Sequence, residues 1–236
     1  MELLATAPER VLAIYAHPDD PDVACGGTLA HWVMAGSQVH IVLAAVGDKG
    51  AEDPAADPEE LARVRAGEVA RAASALGVAS STQLGGRDGE IENDLALRRA
   101  LVGILRSIRP AAVLCPDPTA ILFGEHYYNH RDHRVIGFAA LDAVAPAAAS
   151  PLYFPEQGAP WQVATVYLSG TLEPTVCVDV SDTIGQKLEA VLAHRSQLGE
   201  GDERFRAVLE ARARETGRQV GVRYAESFRR LQLVAE

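Results

Sequence analysis

Short, continuously apolar runs alternate with longer amphipathic ones along the first two-thirds of the chain. Residues 11–16 (Val-Leu-Ala-Ile-Tyr-Ala) are apolar without a break, as a strand buried on both faces of a parallel sheet should be. Residues 26–36 read as a helix centred on Thr28, Leu29, Trp32 and Val33, and 39–46 as a second strand. Gly, Asp and Pro dominate 47–57, a loop by composition. Asp57 before Pro58 is a helix start and Gly77 a helix stop, so 58–76 is helical. A strand near 82–84 leads into the turn Gly85-Gly-Arg-Asp-Gly89. Asn93 or Asp94 can cap a helix running to 108. A buried strand at 112–115, a loop at 116–129 and a helix at 132–144 follow.

This strand–helix alternation predicts an α/β fold, a Rossmann-like three-layer sandwich with a mainly parallel sheet. After Pro146 the pattern changes. Residues 151–161 are Pro-rich and irregular, 165–168 and 175–180 look like strands, and 182–198 and 203–231 read as charged helices. There is no internal repeat and no low-complexity linker. The expectation is a single domain over residues 1–236, with a core at about 10–145 and a C-terminal strand and helix elaboration at about 146–236.

Composition narrows the function. A length of 236 residues with 48% hydrophobic and 23% charged residues is ordinary for a globular chain. A net charge of −10 argues against a nucleic-acid partner recognised by bulk charge. No apolar run approaches the roughly 18–20 residues of a membrane span, and the N-terminus lacks a signal-peptide pattern. The three cysteines, Cys25, Cys115 and Cys177, are far apart and form no C-x-x-C pair. They read as small core residues in a reducing, cytoplasmic setting.

Two clusters carry chemistry. Ala16-His17-Pro18-Asp19-Asp20 begins where the first long strand ends, and in open α/β sheets ligands bind outside the carboxyl ends of strands. His17 and Asp20 are typical ligands for a divalent metal. Taken alone, Pro-Asp-Asp is also good turn chemistry, and a plain surface turn stays open. The second cluster, Glu125-His126-Tyr127-Tyr128-Asn129-His130-Arg131-Asp132-His133, follows the fourth strand onto the same sheet edge. His130 and His133 can share one helix face at i, i+3 spacing. Two metal-capable clusters at one sheet end make a purely solvated reading of the second one poor.

These motifs, with Cys25-Gly-Gly-Thr-Leu29 between them, resemble the PIG-L/LmbE-like zinc-dependent de-N-acetylases, which include the GlcNAc-PI enzyme and the deacetylases of mycothiol and bacillithiol biosynthesis. The resemblance runs over residues 10–230, with late matches at His194-Arg-Ser-Gln197 and Tyr224-Ala-Glu-Ser-Phe-Arg229. It implies that His17, Asp20 and His133 are zinc ligands and Asp19 the general base. It implies that His130 is a second catalytic histidine oriented by Asp132, that Tyr128 helps hold the oxyanion, and that Asp88 contacts sugar hydroxyls. Pro21 and Arg131 depart from the residues common in the family at those positions.

Three protein ligands would leave a fourth zinc position open for water, whose pKa zinc lowers towards about 7. Fe²⁺ or Co²⁺ suits the same N/O ligands. Arg65 and Glu68 fall on the apolar stripe formed by Leu61, Val64, Ala72 and Leu76. At i, i+3 they could pair with each other, while the family has an Arg here that reaches substrate. The expected activity is hydrolysis of an N-acetylated amino sugar or amine-bearing metabolite to acetate and a free amine. The expected partner is that small molecule, with a homo-oligomer implied by the family. The alternatives are an amidase for a larger acyl or thiol-conjugated amide, a non-catalytic zinc-binding member of the fold, and a nucleotide-binding Rossmann-like protein. The last would need G-x-G-x-x-G where the chain has His17-Pro-Asp-Asp-Pro-Asp22.

Overall fold

A computed structural model describes residues 1–198 and 202–234. Eight strands form one sheet: β1 (Glu2–Leu3), β2 (Arg10–Tyr15), β3 (Gln38–Ala45), β4 (Ser80–Gly86), β5 (Ala112–Pro116), β8 (Thr165–Ser169), β9 (Val176–Asp179) and β10 (Ala225–Gln232). Their order is β1-β9-β10-β8-β5-β2-β3-β4. A separate hairpin pairs β6 (Leu122–Phe123) with β7 (Tyr127–Tyr128). The pairings of β2 with β3 and β5, β3 with β4, and β5 with β8 are parallel, as the alternating pattern predicts.

Helices cover both faces. Side-chain alternation along β2 sends Val11, Ala13 and Tyr15 to one core and Leu12, Ile14 and Ala16 to the other. The first core packs under α1 (Asp20–Met34), α2 (Pro58–Leu76) and α5 (Ile184–Leu192), the second under α3 (Leu95–Ile108) and α4 (Arg131–Asp142). Local signals placed the helix ends well. Asp57 accepts from the Glu59 N–H at 2.9 Å, and Gly77 closes α2 at φ 72°. Of the two candidate caps for α3, Asp94 serves, accepting from the Leu97 N–H at 2.8 Å.

Three expectations are corrected. The first helix begins at Asp20, six residues before the predicted start, and bends at Cys25 (φ −148°, ψ 17°). Pro21 sits in its first turn, where a missing N–H costs nothing, which accounts for that departure from the family pattern. The predicted helix over 203–231 stops early. α7 spans Asp202–Val220, Gly221 turns the chain at φ 78°, and β10 inserts antiparallel between β8 and β9. The Arg-rich stretch therefore belongs partly to a strand, with Phe228 fully buried. The predicted helix 182–198 is likewise split into α5 and the short α6 (Arg195–Leu198).

The C-terminal elaboration supports the front of the molecule. The Glu226 carboxylate accepts from the N–H groups of Gly27 (3.2 Å) and Thr28 (2.7 Å), capping the part of α1 beyond its bend. Lys187 pairs with Glu226 and donates to the Val23 carbonyl at 2.7 Å.

Candidate active site

The sheet's carboxyl edge assembles both predicted clusters. His17 follows β2, Asp19 and Asp20 open α1, Asp88 lies in the turn after β4, and His130 to His133 open α4. His17 Nδ1 lies 3.3 Å from His133 Nε2 and 3.3 Å from Asp20 Oδ2, and His133 Nε2 lies 3.0 Å from Asp20 Oδ1. In a regular tetrahedron with metal–ligand bonds of 2.0–2.1 Å, ligand atoms sit about 3.3 Å apart. The two ring nitrogens, and one Asp20 oxygen beside each, lie at that spacing, so these residues fit a tetrahedral divalent ion as well as the hydrogen bonds they make with one another. A looser triad of His17, His130 and His133 brings its donor atoms within 4.8 Å of one another.

The electrostatics are those of a charge-dense cluster. Burial works to lower the His17 pKa, but the hydrogen bond and charge of Asp20, with Asp88 and Asp132 behind, reverse that and raise it to about 9. Burial works to raise Asp20, yet His133 and His17 hold its carboxyl well below the usual range. Burial, then the positive charge of His17, pushes His130 below the ordinary histidine value. His130 Nδ1 accepts the Asp132 backbone N–H at 3.3 Å, so the neutral ring carries its proton on Nε2.

Asp19 is clamped from beneath. Arg65, 3% exposed, donates to Asp19 Oδ1 at 2.9 Å and to the Gly47 carbonyl at 3.2 Å. A Cβ on Gly47 would fall 2.4 Å from Arg65 Nη1, so only glycine lets the guanidinium lie there. Arg65, for which the resemblance implies a substrate contact, is here engaged with Asp19. The Arg65–Glu68 pairing is not formed; Glu68 accepts from the Ser196 N–H (2.8 Å) and hydroxyl (2.7 Å). The Asp88 carboxylate faces His17 Nε2 and Arg65 Nη1, each at 3.9 Å, and accepts from the N–H groups of Gly47 and Lys49. Asp48 returns the favour, accepting the Asp88 N–H at 3.0 Å.

Two other predicted roles shift. The Asp132 carboxylate, fully buried, contacts His17 Nε2 (3.3 Å) and the Gly89 N–H (2.6 Å), whereas its link to His130 is the backbone bond above. Tyr128 is 58% exposed and its ring and hydroxyl engage Arg134. Successive residues in a strand point to opposite faces, and in β7 it is Tyr127 that lines the cleft. Arg131, the other departure from the family, ties α4 to the turn before α3, donating to the Ile91 carbonyl at 2.6 Å and pairing with Glu92.

Sequence reasoning gave no role to His194 and passed over Asp22. They form a buried pair, His194 Nε2 to Asp22 Oδ2 at 2.7 Å, which pins the first turn of α1 to the α5–α6 junction. A cleft of about 790 Å³ runs from Asp20 and His133 past Tyr15 and Ser169 to Glu226, roofed by α7. A smaller lobe of about 480 Å³ shares Asp19, Val23 and Phe205 with it.

Comparison with known proteins decides the family. Residues 12–144 match the family described as PIG-L, GlcNAc-PI de-N-acetylase. This chain belongs to the PIG-L family. It is 34% identical over 225 residues to a diacetylchitobiose deacetylase of Thermococcus kodakarensis, covering 94% of this chain and 82% of the relative. It is 33% identical to a 1D-myo-inositol 2-acetamido-2-deoxy-alpha-D-glucopyranoside deacetylase of Saccharopolyspora erythraea, covering 84% and 87%. Among solved structures, the N,N'-diacetylchitobiose deacetylase of Pyrococcus horikoshii superposes with a TM-score of 0.87 at 32% identity, covering 95% of this chain and 84% of that one. PIG-L members of this kind are hydrolases of a non-peptide C–N bond. Among the described residues no helix is long and apolar enough to cross a membrane.

Proposed function

We propose that this PIG-L member is a zinc-dependent N-deacetylase in which His17, Asp20 and His133 hold the metal. The observation that carries the reading is the convergence of one nitrogen each from His17 and His133 and the two Asp20 oxygens, with contacts of 3.0–3.3 Å, beside the cleft. A bound divalent cation supplies Lewis acidity there, polarising the acyl oxygen and making water more acidic.

The protein groups do the rest. Asp19, fixed by Arg65 and one-third exposed to the cleft, accepts the proton of the attacking water and returns it to the departing nitrogen. His130 offers its Nε2–H to the acyl oxygen as negative charge develops. A C–O bond forms, the C–N bond breaks, and acetate and a free amine leave. Asp88, held by two backbone N–H groups, accepts from substrate hydroxyls.

The cleft supports a substrate larger than one sugar ring. It crosses the carboxyl edge from β2 past β5 and β8 to β10, three strand intervals or about 14 Å. The relatives named above act on N-acetylated sugars joined to a second ring, which agrees with that length. The smaller lobe beside Asp19 favours a second reading, an acyl group longer than acetyl, because Val23, Val191, Leu198 and Val208 line it.

The test is amine release from N,N'-diacetylchitobiose, N-acetylglucosaminyl-inositol and their N-hexanoyl analogues, before and after chelation. Turnover lost on chelation and restored by Zn²⁺ supports the reading. Turnover that survives complete metal removal overturns it. A preference for the hexanoyl amides selects the second reading.

A further inference from the structure

His17 and His133 each turn one ring nitrogen to the donor cluster and the other outward. The outward nitrogens meet different partners. His133 Nδ1 lies 3.1 Å from Asn129 Oδ1, and His17 Nε2 lies 3.3 Å from Asp132 Oδ2. Both partners are held by further hydrogen bonds. The Asn129 side-chain amide donates to the Ala120 carbonyl at 2.8 Å, and its backbone N–H donates to Ile121 at 2.8 Å. A carbonyl can only accept, so the Asn129 NH₂ must face Ala120 and its Oδ1 must face His133. The Asp132 carboxylate is fixed by the Gly89 N–H at 2.6 Å and by Arg131 at 3.3 Å.

An amide oxygen and a carboxylate accept hydrogen bonds and do not donate them. Each therefore keeps the proton of the neutral imidazole on the outer nitrogen of its histidine, so the inner nitrogen is the one that can offer a lone pair to a metal. We propose that Asn129 and Asp132 are metal-positioning residues, Asn129 acting through His133 and Asp132 through His17. This rests on the reading above that His17 and His133 are ligands. The hydrogen bond between Asp132 and His130 comes from the Asp132 main chain, and Asp132→Asn leaves it in place.

The pair is asymmetric by charge. A carboxylate behind His17 makes that imidazole the more basic ligand, while the amide behind His133 sets its direction without adding charge. Asn129→Asp should therefore preserve metal binding, since the acceptor stays, whereas Asn129→Ala removes it. Asp132→Asn retains an oxygen that can accept from both Gly89 and His17 and removes the charge.

The experiment measures Zn²⁺ affinity by competition with a chromophoric chelator at fixed pH. It uses the wild type, Asn129→Ala, Asn129→Asp, Asp132→Asn, His130→Ala and His133→Ala, each first shown by a thermal melt to be folded. Asn129→Ala and Asp132→Asn should each bind Zn²⁺ about 10–100-fold more weakly. Asn129→Asp should stay within a few-fold of wild type and His130→Ala should match it. Wild-type affinity in both Asn129→Ala and Asp132→Asn overturns the proposal. So does an Asp132→Asn protein that keeps its affinity and loses turnover at saturating Zn²⁺ as His130→Ala does, which would return Asp132 to His130. A His133→Ala protein that binds Zn²⁺ like wild type overturns the ligand assignment itself, a failure visible without the positioning variants.

Discussion

Replacing Arg65 separates two roles for one side chain. The guanidinium is 3% exposed and holds Asp19 Oδ1 at 2.9 Å and the Gly47 carbonyl at 3.2 Å. Removing one partner of a buried pair costs about 3–5 kcal/mol when the other charge stays dry. The Asp19 side chain is 33% exposed, so water re-solvates it and the loss in Arg65→Ala falls to about 2–3 kcal/mol. At about 2–4 °C per kcal/mol for a chain of this size, the melting temperature should drop by about 4–12 °C. The larger effect is kinetic. A general base free to drift by about 1 Å costs on the order of 100-fold in rate, or about 2.7 kcal/mol of barrier. Steady-state kinetics on N,N'-diacetylchitobiose should show kcat reduced about 100-fold with KM nearly unchanged. Arg65→Lys should fall between, because a single ammonium cannot reach Asp19 and Gly47 together with fork geometry. A raised KM with kcat intact would mean that Arg65 binds substrate in ground and transition states alike, and the clamp reasoning would be wrong.

Four further outcomes are expected. Asp19→Asn should retain Zn²⁺, measured by elemental analysis, and lose about 10²–10⁴-fold in turnover, since it removes a proton acceptor and no ligand. Arg106 is buried and donates to the carbonyls of Ala147, Ala148, Ser150, Tyr153, Phe154 and Gly158. Arg106→Met should therefore cost about 3–5 kcal/mol in denaturant unfolding while the kcat of the folded protein stays within a few-fold of wild type. Chelation should lower the melting temperature, and Zn²⁺ at 100 times its Kd should restore about 2.7 kcal/mol. Burial pushes the Cys25 and Cys115 thiols well above their ordinary 9.0, so they stabilise the fold fully below that pH and progressively less above it. The melting temperature should be insensitive to these thiols up to pH 8.5 or so and fall beyond it, less steeply in Cys115→Ala.

Elements written in contiguous residues were legible. Asp57-Pro58 and Gly77 bound α2 because capping and left-handed geometry are local. The two histidine clusters were legible as neighbours because parallel strands must end on one edge. What sequence could not carry was partner choice across long separations. Arg65 and Glu68 satisfied the i, i+3 rule and yet took Asp19 and Ser196, which offered better geometry from other elements. Tyr128 matched a family position by number, but alternation in a two-residue strand puts Tyr127, itself exposed, on the side that lines the cleft. The helix misread through 231 had a local warning, Gly221, whose positive φ ends α7; the dense charge of the segment that follows masked it.

That misread segment explains why the C-terminal part of the chain cannot be an ornament on the core. Asp20 stands in the one turn of α1 that precedes the bend at Cys25, so its direction depends on how the bend is held. The buried N–H groups of Gly27 and Thr28, left without helical partners by the bend, need an anion, and Glu226 supplies it from β10, about 200 residues away in sequence. Glu226 can be buried there because Lys187 of α5 neutralises it and anchors to the Val23 carbonyl in the same turn. His194 holds that turn from its other side through Asp22. The late matches around His194 and Tyr224 to Arg229 thus act on the first motif from behind, fixing a metal-capable carboxylate that none of them touches.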